Sequence, residues 1–440
     1  MDWRVVGAIG RWRTRLGILL PGARGCISFA AVKTSIRTVL VLALALPLAA
    51  RAEVKLGNEV LAASKFKALR GKRVGLITNP SGVNRRLVST VDVLRAAPGV
   101  ELAALFGPEH GIYGDVEAGD KVDNQVDART GLPAYSLYGK TQKPTPEMLQ
   151  GLDALVYDLQ DTGCRSYTYI STMGMAMEAC GEAGIEFIVL DRPNPLGGER
   201  IEGTMLDPKF RSGISKWNIP YVYGLTCGEL ARMINGEGLN KKACRLTVVP
   251  MKGWKRRMVW EDTGLPWVPS SPHVPHGRSA LYQVATGIVG ELMCVSIGVG
   301  YTLPFECIAA PGLAPHKLAE ALNAYNLPGV RWRPITYKPY YFMFTNQVIG
   351  GAQLYFMEPR HAPLTAINLY AIEALKQVGG IDVFEDALKV KRGFGMFDKA
   401  NGTDATRKAL QAGTPAAEVV ASWKADEEAF RKARKKYLLY

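Results

Sequence analysis

Cysteine and histidine are scarce in this chain, seven and five of 440 residues, and no two cysteines stand in the C-x-x-C spacing that marks a zinc site. His273 and His276 have H-x-x-H spacing, but they lie in proline-rich sequence without a third ligand, so no metal is expected. No G-x-S-x-G, P-loop or G-x-G-x-x-G follows a candidate strand, which removes the main support for serine-hydrolase, nucleotide-hydrolase and dinucleotide-cofactor readings. No cofactor is expected. Lys/Arg runs interleaved with aromatics are missing too, so nucleic acid is not an expected partner. Internal repeats and low-complexity segments are absent. The apolar stretch 38–50 falls short of the roughly 20 residues a spanning helix needs, so no stable membrane span is expected.

That stretch has another use. Lys33 and Arg37 precede it and Ala50-Arg51-Ala52 closes it, the layout of a secretory signal cleaved near Ala52. Residues 1–52 are therefore read as a signal peptide with an upstream leader, and the protein as periplasmic or secreted. Cys26, preceded by Arg24-Gly25, makes a poor lipoprotein signal. The leader holds eight Lys/Arg and one Asp, so without it the formal charge falls from +14 to +7. This balance suits an anionic polymer such as cell wall. The basic stretch 431–436 reads as a solvated helix end. Six cysteines remain in a compartment that permits disulfides without requiring them. Nothing in the sequence sets the oligomeric state.

Short Val/Ile/Leu-rich runs recur at 73–78, 101–106, 154–157 and 186–190, nearly continuous as in parallel strands buried on both faces. Each runs straight into a polar motif: Asn79-Pro80-Ser81-Gly82, Gly107-Pro108-Glu109-His110-Gly111, Asp158-Leu159-Gln160-Asp161-Thr162-Gly163 and Asp191-Arg192-Pro193-Asn194-Pro195. Ligands of open α/β sheets bind beyond the carboxyl ends of the strands, so the four motifs are expected to line one pocket. With a further run at 245 and helical stretches at 87–97, 169–183 and 228–235, the region 53–250 reads as a doubly wound parallel α/β sheet domain. Residues 251–302, rich in Trp, Pro and Ser at first, read as a connector with loops over the site. Residues 303–440 read as a smaller α+β domain, with helical patterns at 315–325, 363–377 and 415–437 and strands at 331–337 and 351–357.

Glu109 is the leading catalytic candidate. Its flanking Gly and Pro residues form a tight turn at a strand end, which suits a carboxyl acting as general acid; capping a helix or pairing with an arginine is the structural alternative. His110 beside it orients a neighbour or fills the turn. Asp158 and Asp161 bracket a strand end, where they bind sugar hydroxyls, orient another acid or, for Asp161, form an Asx turn. Arg165, with Ser166, Tyr167, Thr168 and Tyr169, offers a cation, hydroxyls and rings suited to a carboxylate-bearing sugar. The tyrosines serve equally as packing. Asp191, Arg192 and Asn194 place a charge pair and an amide on a proline-stiffened loop, with an internal structural role as the competitor. Asn79 completes the set of substrate-binding candidates.

The order of these motifs, together with Gly131-Leu132-Pro133-Ala134-Tyr135-Ser136-Leu137-Tyr138-Gly139, Tyr167-Thr168-Tyr169-Ile170-Ser171-Thr172-Met173, Gly228-Glu229-Leu230-Ala231-Arg232-Met233, Met251-Lys252-Gly253-Trp254 and Pro304-Phe305-Glu306, resembles the exo-acting β-N-acetylmuramidase family, NamZ, from about residue 54 to the C-terminus. The resemblance implies a Rossmann-like N-terminal domain, an auxiliary C-terminal domain, and release of N-acetylmuramic acid from the non-reducing end of peptidoglycan fragments. It implies Glu109 as the catalytic glutamate. Glycoside cleavage normally uses a second carboxylate, and the acid shared with the family stretch before Pro304-Phe305-Glu306 is Glu291. The same stretch departs from the family pattern at Ile297 and Val299, which replace an acid and an arginine, and Ile112-Tyr113-Gly114 lacks an arginine found there. Two other readings stand beside the hydrolase: a periplasmic muropeptide-binding or amino-sugar-binding protein without turnover, and a hydrolase for a related amino sugar.

Overall fold

The computed structural model describes residues 53–440 except 118 and 122; the signal and leader expected over 1–52 lie outside these residues. The larger sheet contains β1 (Lys72–Thr78), β2 (Val100–Gly107), β3 (Gln125–Val126), β4 (Pro133–Ser136), β5 (Ala154–Asp158), β6 (Glu186–Leu190) and β7 (Arg245–Val249). Their order is β3-β4-β2-β1-β5-β6-β7, all neighbours parallel except β3 with β4. Numbered among themselves, the six parallel strands run 3-2-1-4-5-6, a doubly wound order whose switch point lies between β1 and β5. The short strands β3 and β4 lack long apolar runs and were not anticipated.

The near-continuous apolar runs are explained by coverage of both sheet faces. Val74, Leu76, Leu102, Leu105, Val156 and Ile188 join one hydrophobic cluster, while Ile77, Phe106, Leu155, Tyr157 and Val189 join another. Register then fixes where the chain leaves the sheet. Thr78 lies opposite Asp158, Ile77 opposite Phe106, Gly107 opposite Ser136 and Tyr157 opposite Val189. The four polar motifs therefore emerge along one edge.

A second, antiparallel sheet is built from β8 (Cys307–Ala310), β9 (Val330–Tyr337) and β10 (Ile349–Phe356), in the order β8-β10-β9. Helix Pro315–Ala324 packs on it, and helix Leu364–Gly379 packs on that helix. The stretch 251–302, expected as connector and loops, also contains helix Ser279–Gly290, which packs on Leu364–Gly379. Asn368 joins the two helices, accepting from Val289 N at 3.1 Å and donating to Val284 O at 2.8 Å. One hydrophobic cluster runs from Leu155 of the larger sheet through Val284 and Ile288 to Ala352 and Leu354 of the smaller, so the two sheets share a core. Residues 383–411 add three short helices, Val383–Lys389, Gly395–Asn401 and Ala405–Gln411, and the expected helix 415–437 is divided into Ala416–Ser422, Lys424–Ala433 and a 3-10 turn Arg434–Tyr437. All six cysteines among the described residues are buried and unpaired. No described helix is long and apolar enough to cross a membrane.

Arg165 ties the two halves together. Its guanidinium is fully buried and donates to Thr204 O (2.7 Å), Ile219 O (2.6 Å), Ala400 O (3.0 Å), Asn401 O (2.5 Å) and Ser215 Oγ (3.4 Å). These bonds engage every nitrogen of the guanidinium. Arg165→Met leaves several buried carbonyls without donors, a loss of about 3 kcal/mol or more in unfolding free energy. Urea denaturation measures it; a midpoint equal to that of the parent would remove Arg165 from this role.

Candidate active site

Glu109 follows β2 in a loop that doubles back at once. A Cβ on Gly107 would meet Ile112 N at 2.9 Å, and His110 takes a left-handed φ of 72°, so glycine and a tolerant residue are needed where they stand. The His110 ring is buried and its Nδ1 lies 2.7 Å from Val116 O, so the imidazole holds the turn. The turn leaves the Glu109 carboxylate half-buried. Thr168 Oγ1 donates to its Oε2 at 2.7 Å and Gly119 N to its Oε1 at 3.1 Å. The Tyr138 side chain stands nearby; burial, with the adjacent Glu109 carboxylate, pushes its pKa up to about 12. Thr168 and Tyr138 were not singled out individually by sequence, although both lie inside motifs that were.

Beneath this carboxylate, Asn79 and Tyr169 clamp the connector. Asn79 Nδ2 donates to Ser270 O at 2.9 Å and to Tyr169 Oη at 2.8 Å, and the Tyr169 hydroxyl donates to the same Ser270 carbonyl. Tyr167 donates to Ser270 Oγ at 2.9 Å and meets the Tyr169 ring edge-on at 4.6 Å. Ser270 thus anchors the proline-rich segment over the strand ends. Nothing in its local sequence distinguishes it from Ser271.

Most of the other polar candidates are hydrogen-bonded within the protein. Asp158 is fully buried, pairs with Arg192 Nε at 2.5 Å, and accepts from Thr90 Oγ1 at 2.5 Å and Asn58 Nδ2 at 3.2 Å. Arg192 also donates to Val83 O at 2.7 Å. Asp191 accepts from Arg192 N, Thr226 Oγ1, Gly228 N and Tyr440 Oη, at 2.7 to 3.0 Å. It thereby docks the start of helix Cys227–Gly236 and the last residue of the chain. Asn194 donates to Leu225 O and accepts from Leu196 N, both at 2.9 Å. Arg165 is spent on backbone carbonyls, so it is not the fork for a sugar carboxylate. Asp161 does form an Asx turn, accepting from Gly163 N at 2.7 Å and from the Tyr223 hydroxyl, while its buried Oδ1 has no partner among the described residues.

Glu291 ends helix Ser279–Gly290. Burial raises its pKa, opposed by Arg392, whose Nη2 lies 3.3 Å from Oε2. Its charge is felt by Tyr221, whose hydroxyl is 3.0 Å from Ser166 Oγ. Segment 166–168 thus connects to Glu109 through Thr168 and approaches Glu291 through Tyr221; no hydrogen bond joins the two carboxylates. Ile297 and Val299 are buried, and Ile297 lies where a Cβ on Gly290 would be, 2.5 Å from Cδ1. Among the described residues no cluster of three or more His, Cys, Asp or Glu could hold a metal.

Burial raises the Asp161 pKa from 3.8 to about 6. The folded state therefore keeps this proton while the unfolded chain releases it, so the stability Asp161 contributes falls as pH rises from about 4 to 6, by up to about 3 kcal/mol. The stability difference between Asp161→Asn and the parent is expected to move in the variant's favour across that interval in urea titrations; a difference independent of pH would refute the assignment.

The sequence model described as exo-β-N-acetylmuramidase NamZ, N-terminal, matches residues 74–278, and its C-terminal counterpart matches 281–440. A Bacillus subtilis (strain 168) protein, peptidoglycan β-N-acetylmuramidase NamZ, is 43% identical over 392 residues, covering 89% of this chain and 92% of its own. Two crystal structures of DUF1343 family proteins from Bacteroides fragilis share the fold. One has a TM-score of 0.83 at 49% identity, covering 89% of this chain and 100% of its own; the other has 0.68 at 30%, covering 88% and 99%. The chain belongs to the exo-β-N-acetylmuramidase NamZ family.

Proposed function

We propose that this protein is an exported exo-β-N-acetylmuramidase that releases N-acetylmuramic acid from the non-reducing end of peptidoglycan fragments. Glu109 is the general acid: it gives its proton to the glycosidic oxygen as the bond from that oxygen to the anomeric carbon breaks, and water supplies the hydroxyl that ends on that carbon and the proton that restores the acid. Glu291, at the end of helix Ser279–Gly290, is the second carboxylate. Family membership supports the reaction class. One observation carries the choice of Glu109: among the acids in the strand-end motifs, Asp158, Asp161 and Asp191 are buried within the protein, whereas Glu109 is half-buried and held by the Thr168 hydroxyl.

Soluble muropeptides suit an exo-acting site, and the signal-like leader supports a periplasmic or secreted location. Asn79 and Tyr169 act through Ser270, shaping the site from below. Glu109→Gln keeps the shape and removes the transferable proton. It is expected to lower kcat by roughly 10²- to 10⁴-fold while leaving muropeptide affinity, read by calorimetry, near that of the parent. The assay is release of N-acetylmuramic acid from muropeptides, with a chromogenic β-N-acetylmuraminide and the matching N-acetylglucosaminide in parallel. Undiminished turnover in the variant would exclude Glu109 as the acid. Cleavage of the glucosaminide alone would assign a different amino sugar, and binding without turnover in the parent would make the protein a binder.

A further inference from the structure

The loop between β9 and β10 presents aromatic rings to solvent: Tyr340 is 65% exposed, Tyr341 51% and Phe342 54%. Three adjoining apolar rings in water are costly to keep unless they meet a partner. The loop is also organised. Tyr340 N donates to Gly300 O at 2.8 Å, Thr345 Oγ1 to Phe342 O at 2.8 Å, and Asn346 N to Pro339 O at 3.0 Å. Phe342, Phe344 and Asn346 take left-handed φ values of 67°, 55° and 64°, a conformation that costs a bulky residue roughly 1–2 kcal/mol. Gly300, at φ 91°, is required beneath it, because a Cβ there would lie 2.0 Å from Tyr341 O. Tyr301 braces Tyr340 with ring centroids 5.5 Å apart.

The loop is tied to the candidate active site. The Tyr341 hydroxyl lies 2.9 Å from His273 Nε2 and the two rings stack at 6.0 Å. His273 stands three residues beyond Ser270, the residue clamped by Asn79, Tyr167 and Tyr169 beneath Glu109. Burial and the nearby His110 hold the His273 imidazole below its ordinary pKa, against the opposing Glu117 carboxylate, so the base of the loop also adjoins the turn that carries Glu109.

We propose that Tyr340 and Phe342 form a stacking platform for the pyranose on the leaving-group side of the cleaved bond, the second sugar of the substrate. This rests on the glycosidase reading above and names the part of the substrate that the loop takes. An exo-acting site encloses the terminal sugar, so the rest of the saccharide passes outward over exposed protein, where the apolar C–H face of a pyranose meets flat rings. The platform thus sets a preference for oligosaccharides over single-sugar glycosides. It does not touch the reacting atoms.

The test is the double variant Tyr340→Ser/Phe342→Ser, whose replaced rings are exposed, compared with the parent on two substrates. One is the methyl β-glycoside of N-acetylmuramic acid, which has no second ring; the other is the β-1,4-linked disaccharide with N-acetylglucosamine. The expected result is roughly a tenfold or greater loss of kcat/KM on the disaccharide, mostly in KM, with the methyl glycoside unchanged. Equal losses on both substrates, or none on either, would overturn the proposal. Calorimetric affinities for both saccharides are measured as well. If the parent cleaves neither substrate, the glycosidase reading fails, and the affinities alone decide whether the rings hold the second sugar: a loss confined to the disaccharide supports the platform and equal affinities overturn it.

Discussion

A fully buried guanidinium, with no carboxylate partner among the described residues, holds the two halves of this protein in register. Burying a charge away from water is expensive unless its hydrogen-bonding capacity is met, and Arg165 meets it with four backbone carbonyls and a serine hydroxyl drawn from residues 204, 215, 219, 400 and 401. Burial lowers its pKa only to about 10, so it remains charged at neutral pH. Gly402 closes the arrangement: a Cβ there would lie 2.5 Å from Arg165 Nη2. Segment 165–169 is thereby fixed against helix Gly395–Asn401, and the same segment supplies Thr168 to Glu109 and Tyr169 to the connector. A residue that reads in sequence as a substrate contact instead sets the geometry in which contacts are made.

The acids along the strand ends divide by burial. Asp158 and Arg192 form an ion pair enclosed by Thr90, Asn58 and Val83 at the switch point between β1 and β5, where sheets of this order usually bind ligands. The chain has filled that crevice with its own side chains. Asp191 does the same for a helix start and the C-terminal tyrosine, and burial lifts its carboxyl to about 6. The candidate active site is displaced toward the end of β2, where the Gly107 turn lifts Glu109 clear of this packed layer.

Apolar runs made the strands legible because parallel strands covered on both faces need little else. Helix Tyr169–Ala183 was readable to the residue, since its apolar length ends at Gly184 with φ 72°, a left-handed C-cap that glycine adopts freely. Strands of two and four residues, such as β3 and β4, carry no periodic signal, and β8 is hidden in an apolar stretch that also contains turns. The motifs marked where the chain leaves the sheet, but a motif reports which residues leave a strand and not which way their side chains turn. Arg165 and Asp158 point into the core while Glu109 remains half-exposed, a distinction fixed by neighbours 34 to 236 residues away in sequence. Ser270 was invisible for the same reason.

The division between buried acids and a half-exposed carboxylate has a chemical consequence. A general acid is effective when its proton can be aimed without the site reorganising as the bond breaks. Here the aiming groups are themselves fixed: Thr168 belongs to the segment anchored by Arg165, and Tyr138 follows β4, whose strand is paired to β2 beside Glu109. The carboxylate need not be rigid by its own bonds, because Thr168 belongs to a segment that cannot move independently and Tyr138 follows a strand of the sheet, while Gly119 N adds a bond from the loop. The networks around Asp158, Arg165 and Asp191 therefore serve catalysis at one remove. They hold still the parts of the protein that orient Glu109, and they leave the Glu109 carboxylate as the strand-end acid still free to exchange a proton with a substrate.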